Sequence, residues 1–402
     1  MLKTTKFLFL IVLSLTFLPI NAQHKELLDW AESGKVENEN YYSEMPFRYI
    51  NGYIFIDIIQ NGKKFNFLFD TGAEATVIDN EILNEFAFES FSESKVGGPL
   101  IETQDVKKII LSKIKLGDLD FAEIGAIGID LKFGKEKFCD DLHGILGSNL
   151  MKKSKWQIDY ENQMIRISDD ISKFELGTPK YILETKLGSK GFGSETVDIT
   201  INGTKMPFSI DTGNGRNKIV AHPKYYKKVI RKSDAIEFGF PKSDKNFYLI
   251  PDNLTIGGIE FSDQLVSLEH EVGNSQLLGN KFFENFLMTI DWENHQLYLA
   301  PQGEIKKDDL FGFPIMFKAN YKSNEIAIAT GEKKFLQLND IGKGSVLSKV
   351  GGIDVLNLSD EDFCNFWDTQ WTEMMQKDTL NITFTNEGID KEIILTKKNL
   401  NS

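Results

Sequence analysis

The chain has 402 residues, with 46 Lys+Arg against 59 Asp+Glu and a formal charge of −13, which excludes a lone small binding module and leaves no basic face for nucleic acid. Its two cysteines, Cys139 and Cys364, stand too far apart in the sequence for a disulfide framework or a paired-cysteine zinc site, and the five histidines form no HExxH pair, so no metal or cofactor is expected. With 41 % hydrophobic and 26 % charged residues, disorder is not the expected state.

At the N-terminus, Lys3 and Lys6 precede an apolar or hydroxyl run from Phe7 to Leu18, followed by Pro19, Ile20, Asn21 and Ala22. Residues 1–22 read as a signal peptide cleaved after Ala22. The run is too short to cross a membrane, and no second candidate follows. The mature protein is expected to be exported, periplasmic or extracellular, with no membrane span. A short N-terminal segment, 23–45, leads into the body of the chain.

An internal repeat comes next. The segment IDIIQNGKKFNFLFDTG from Ile56 aligns without a gap on VDITINGTKMPFSIDTG from Val197. IKLGDLDF from Ile114 matches LTIGGIEF from Leu254, and GILGSNLMKKSKWQIDYENQMIRIS from Gly144 matches QLLGNKFFENFLMTIDWENHQLYLA from Gln276. Paired blocks in one order indicate a duplicated unit. Strands are predicted at Tyr53 to Ile59 and Phe65 to Phe69 around the hairpin signal Asn61-Gly62, which Asn202-Gly203 repeats. A short helix is expected after Leu146-Gly147 and after Leu278-Gly279, each followed by a closing strand, Ile158 to Ile167 and Ile290 to Leu299. Asp57 and Asp198 are expected to point outward, and His143 to serve in local packing or hydrogen bonding.

Each copy sets an aspartate, Asp70 or Asp211, at the end of an apolar strand and follows it with Thr and Gly. Two such acids brought together cannot both ionise, and one shared proton lets one act as base on a water while the other acts as acid toward a carbonyl. Thr71 and Thr212 offer hydroxyls that can cross-link the two loops, and Gly72 and Gly213 suit a tight turn.

These residues resemble those of the aspartic peptidases, specifically the retroviral-type unit occurring twice in one chain. The resemblance rests on LFDTGAEATVI from Leu68, SIDTGNGRNKIV from Ser209, GILGSNL from Gly144 and LLGNKFF from Leu277, and covers residues 46 to 302. It implies two lobes, 46–170 and 171–302, catalytic Asp70 and Asp211, and support from Thr71, Gly72, Ala73, Thr212, Gly213 and Asn214. It also implies a substrate-binding flap in each lobe, with Gly97 and Gly98, before Pro99, at one tip and Gly239, between Phe238 and Phe240-Pro241, in the other. Asn214 departs from the Ser, Thr or Ala usual in the family. That departure keeps open a second reading, a catalytically inactive two-lobed peptide-binding protein.

After a charged stretch, Glu304 to Asp309, the remaining chain shares nothing with the repeat. Residues 303–402 resemble a PDZ domain of the bacterial type, which implies Phe311, Gly312 and Phe313 as a carboxylate-binding loop for a peptide C-terminus. Ser359 reads as a helix N-cap, Trp367 and Trp371 with Phe363 and Phe366 as helix core, and Asn386-Glu387-Gly388 as a hairpin turn. The expected fold class is all-β: duplicated retropepsin-like (acid protease) β-barrel lobes followed by a small PDZ-like β-rich domain. A monomer acting on a peptide or protein substrate is expected, with both cysteines as free thiols.

Overall fold

Asn61 and Gly62 take left-handed backbone at φ 51° and 73°, and Asn202 and Gly203 do so at 44° and 82°. Two consecutive positive φ values are what a two-residue turn needs to match the twist of its strands. In the computed structural model these turns close the hairpins Tyr53–Gln60 on Lys63–Phe69 and Glu195–Ile201 on Thr204–Asp211. The structure describes residues 25–98, 101–188, 193–232, 235–240, 244–270, 276–386 and 388–400. The signal-peptide assignment, Pro99, Pro241 and Glu387 lie outside the described residues.

The second strand of each hairpin takes the Leu-Gly element as a parallel neighbour. Gly144–Leu146 runs beside Lys63–Phe69 with Leu146 opposite Phe69, and Leu277–Gly279 runs beside Thr204–Asp211 with Gly279 opposite Asp211. On their other sides these elements pair antiparallel with Thr76–Asp79 and Ile219–Ala221, which run parallel to Leu119–Ile129 and Val266–Leu268. The same strand order thus recurs in a nine-stranded and a ten-stranded sheet. Central strands flanked on both edges read as continuous apolar runs, and Phe67, Leu68 and Phe69 are all buried.

The expected closing strand of each copy is instead a hairpin, because the repeated Asp-aromatic-Glu-Asn is a turn. Asp159 Oδ1 accepts from the Asn162 amide at 3.1 Å, and Asp291 Oδ1 from the Asn294 amide at 3.2 Å. The hairpins Lys155–Asp159 with Met164–Ser168 and Phe286–Asp291 with Gln296–Pro301 then join edge to edge, Trp156 opposite Ile290, in one six-stranded sheet shared by both copies. Gln157 Nε2 donates to Thr289 Oγ1 across that seam at 2.9 Å. One apolar core, including Phe69, Phe121 and Trp156 from the first copy and Phe208, Phe282 and Phe286 from the second, lies against it. Asp57 and Asp198 face outward and pair with lysines, and the His143 Nδ1 accepts from the Asn66 amide at 3.1 Å.

The C-terminal part builds a separate sheet from Ile315–Asn320, Glu325–Gly331, Val346–Val350, Thr379–Asn386 and Ile389–Thr396. Ser359 caps its longest helical stretch, accepting from the Asp362 amide, and Phe363, Phe366 and Trp371 pack into its core. Asp308 ties the charged stretch to the second lobe, since its carboxylate meets Lys218 at 2.9 Å and accepts from the Leu265 amide at 2.8 Å.

Three expectations fail here. Cys139 and Cys364 are not free thiols but form a disulfide across 225 residues, joining the first lobe to the C-terminal helix. Separation along a chain says nothing about separation in space, and neither cysteine has a sequence neighbour that would reveal its partner. Phe311 and Gly312 do not form an open carboxylate loop: they pair antiparallel with Lys398–Asn399, the Phe311 amide donates to Asp309 Oδ1 at 3.1 Å, and the Phe313 side chain is buried in the core. Gly239 is not a flap tip. Its amide donates to the Gly331 carbonyl at 3.0 Å, and the Phe240 ring is packed into the C-terminal core.

Candidate active site

The two Asp-Thr-Gly loops are locked together by their threonines. The Thr71 amide donates to Thr212 Oγ1 at 2.9 Å and the Thr212 amide to Thr71 Oγ1 at 3.0 Å. Each hydroxyl then donates to the strand that carries the other aspartate, Thr71 to the Ile210 carbonyl at 2.7 Å and Thr212 to the Phe69 carbonyl at 2.9 Å. Both threonines are fully buried, so a hydroxyl used once as donor and once as acceptor leaves no backbone group of the crossing unsatisfied.

This lock brings Asp70 and Asp211 into mutual hydrogen-bond contact. Desolvation raises both carboxyls above their ordinary range, Asp211 far more because the Asp70 charge and hydrogen bond add to it. Asp70 Oδ1 accepts two backbone amides, from Gly72 at 2.8 Å and Ala73 at 3.0 Å, whereas Asp211 accepts from Gly213. The two backbone amides on Asp70 favour its charged form, whereas the neighbouring Asp70 charge disfavours that of Asp211.

Neither glycine of these loops has positive φ. Their requirement is contact with the opposite lobe: a Cβ on Gly72 would lie 2.4 Å from Asp211 Oδ1, and one on Gly213 would lie 2.3 Å from Asp70 Cγ. Gly213→Ala is therefore expected to push Asp70 out of register and lower turnover by about 10²-fold, the scale of a 1 Å misplacement at a reacting centre. Steady-state kinetics on a peptide substrate, with a thermal melt to confirm folding, measures this.

The Asn214 side chain makes no hydrogen bond to the dyad carboxylates among the described residues. Its Nδ2 lies over Gly279, where a Cβ would sit 2.7 Å away, and it has no hydrogen-bond partner among the described residues. The loop is braced instead by Asn280, whose Nδ2 donates to the Thr212 carbonyl at 2.6 Å and the Gly52 carbonyl at 2.9 Å while Tyr160 holds its Oδ1. Gly52, at φ 86°, packs so closely on Gly215 that a Cβ would fall 1.9 Å from the Gly215 carbonyl oxygen. Sequence reasoning missed Gly52 and Asn280. The repeat offered one signal for Asn280, which follows the second Leu-Gly as Ser148 follows the first, and Ser148 braces its own loop through the Ala73 carbonyl.

Phe88–Gly98 and Ile101–Leu116 form the long hairpin expected between the first Asp-Thr-Gly and its Leu-Gly element, with Gly98 opposite Ile101 and Gly97 beside it. One further side chain comes to the dyad, Lys137, near the end of the helix Phe133–Phe138, and Arg216, just past the second loop, lies beside Lys137 and Tyr53.

Residues 56–150 match a family model described as aspartyl protease, a span that holds Asp70, Gly97, Gly98 and the first Leu-Gly element. Among solved structures, the crystal structure of Basic 7S globulin from soybean aligns at 11 % identity and a TM-score of 0.44, over 65 % of this chain and 95 % of that one. No curated protein matches.

Proposed function

We propose that this chain is an exported aspartic endopeptidase in which Asp70 and Asp211 activate one water between them. The observation that carries this reading is the crossed-threonine lock, which holds two desolvated carboxyls side by side. A protein that only held peptides would need neither acid, and the Asn214 amide, turned toward Gly279, leaves the pair undisturbed.

In the proposed reaction ionised Asp70 takes a proton from the water as its oxygen attacks the peptide carbonyl carbon, and Asp211 gives its proton to the carbonyl oxygen. The tetrahedral diol collapses as Asp70 gives its proton to the departing nitrogen, Asp211 takes one from a diol hydroxyl and the C–N bond breaks, leaving an acid, an amine and the dyad in its starting state. The signal-peptide pattern and the Cys139–Cys364 bond both suit an oxidising compartment outside the cytosol. The C-terminal sheet is read as a PDZ-like module, supported by an edge strand, Ile315–Asn320, that pairs only with Glu325–Gly331 among the described residues.

Incubation with a mixed peptide library across a pH series tests the reading. Because both carboxyls are raised, protonation of Asp70 should stop the reaction at a pH above the ordinary carboxylate range, and loss of the Asp211 proton at a higher pH still. The expected profile is a bell belonging to the pair, centred nearer neutrality than to strong acid. Absence of cleavage at every pH, or a rate that peaks only in strong acid, would overturn it.

A further inference from the structure

One cation from each lobe converges on Tyr53, beside the dyad. The Lys137 Nζ lies 4.8 Å from the Tyr53 ring centroid and 4.9 Å from that of Phe138. Tyr53 in turn packs on the second loop, where a Cβ on Gly215 would be 2.8 Å from its Cδ2, and its hydroxyl feels the Arg216 charge. Neither Lys137 nor Arg216 has an ion pair among the described residues. The surrounding segment is pinned: Cys139 is bonded to Cys364, and Asp140 accepts from Arg48 Nη1 at 3.0 Å and Asn66 Nδ2 at 3.1 Å.

The charge balance is therefore incomplete. Lys137 lies in the field of the two aspartates, and Arg216 lies in that of Lys137 and Tyr53, in a chain whose formal charge is −13 and which has acidic side chains to spare. Resting on the peptidase reading, we propose that Lys137 and Arg216 form a cationic subsite that selects substrates with an Asp or Glu side chain next to the scissile bond. A substrate carboxylate supplies the missing charge through charge-assisted hydrogen bonds, a neutral side chain leaves the half-buried ammonium uncompensated, and a basic one is repelled. Lys137 faces Tyr53, Phe138, Arg216, Asp70 and Asp211. Burial and Arg216 lower its pKa to about 8 against the pull of the two aspartates, so the preference should weaken as pH rises through that value, with Arg216 holding the remainder.

The test compares peptides matched except for Glu or Gln at the positions flanking the scissile bond, in two measurements: hydrolysis, and calorimetric binding of analogues with a hydroxyethylene group in place of the scissile amide. Wild type should favour Glu by about 10- to 100-fold in kcat/KM and in binding, the range of one charged hydrogen bond. Lys137→Met, which keeps the stem on its aromatic neighbours, and Arg216→Gln, at an exposed position, should each bring that ratio toward one. Equal treatment of Glu and Gln by wild type, or a preference that both variants retain, overturns the subsite. Discrimination in binding with hydrolysis of neither peptide keeps the subsite and overturns the peptidase reading. Hydrolysis of both at equal efficiency does the reverse, and failure to bind or cleave either overturns both.

Discussion

Asp211→Asn is expected to reduce peptide cleavage by about 10²- to 10⁴-fold, the scale of removing one positioned acid or base, while leaving the fold intact. An amide at this position can still donate to Asp70, so the contact between the loops survives, but it has no proton to give to the carbonyl oxygen. Asp70→Asn should fail for the complementary reason. Its Oδ1 can keep accepting the Gly72 and Ala73 amides, yet an amide cannot take a proton from water. The stability of the variants separates this account from unfolding. Asp211 has a raised folded-state pKa, so its contribution is full below the unfolded value and is lost as pH rises through the folded one. Asp211→Asn removes that loss, and relative to wild type the variant should therefore gain stability between acid and neutral pH. Thermal melts at both pH values, paired with turnover on one peptide, measure the two effects. Near-normal turnover by either variant would mean that the carboxyls do not share the chemistry.

The parts of this site legible in the sequence were those the duplication printed twice. Asn-Gly before each Asp-Thr-Gly, and Leu-Gly after it, mark the hairpin and the short helix, because local backbone preferences specify them, whereas the parallel pairing of the Leu-Gly element is a contact between distant segments. The threonine cross-link was readable in kind, since two symmetric loops with one hydroxyl each have an obvious way to satisfy each other. Gly72 and Gly213 do sit in tight turns, but a further constraint on each is the carboxyl of the opposite copy, which no window around one motif contains. The repeated Asp-aromatic-Glu-Asn looked like strand because its flanks are apolar, and only the side-chain bonds from Asp159 and Asp291 to their own loops reveal the turn. Features that occur once were hidden altogether. Lys137, Arg216, Gly52 and the Cys139–Cys364 pair have no counterpart in the other copy to announce them, and their importance comes from contacts between distant segments.

Removing everything after Gln302 is expected to abolish both cooperative unfolding and cleavage of short peptides, although Asp70 and Asp211 lie wholly upstream. The C-terminal sheet is not joined to the lobes by a loose linker. Phe240 is buried in the C-terminal core, and Leu310 packs with Ile236, Phe238 and Tyr248 of the second lobe. Uncovering a large apolar side chain costs about 1.5–3 kcal/mol, and losing a disulfide typically costs about 2–4 kcal/mol. Several such losses reach the 5–15 kcal/mol or so that holds a domain together. The cut also reaches the site, for Asn51 Nδ2 donates to Asp368 Oδ1 at 2.8 Å directly before the Gly52 that rests on Gly215, and the disulfide-bonded Cys139 lies two residues after Lys137. Cys364→Ser in the full chain isolates one of these ties. It should lower the unfolding free energy by about 2–4 kcal/mol and leave short-peptide turnover measurable, because Phe240 and Leu310 remain covered. Denaturant melts followed by near-ultraviolet circular dichroism, with kcat/KM for one short peptide, distinguish the two proteins. A truncated chain that melts cooperatively near the wild-type midpoint and cleaves at the wild-type rate would show that the lobes need nothing from the C-terminal sheet, and that Phe240 tolerates exposure.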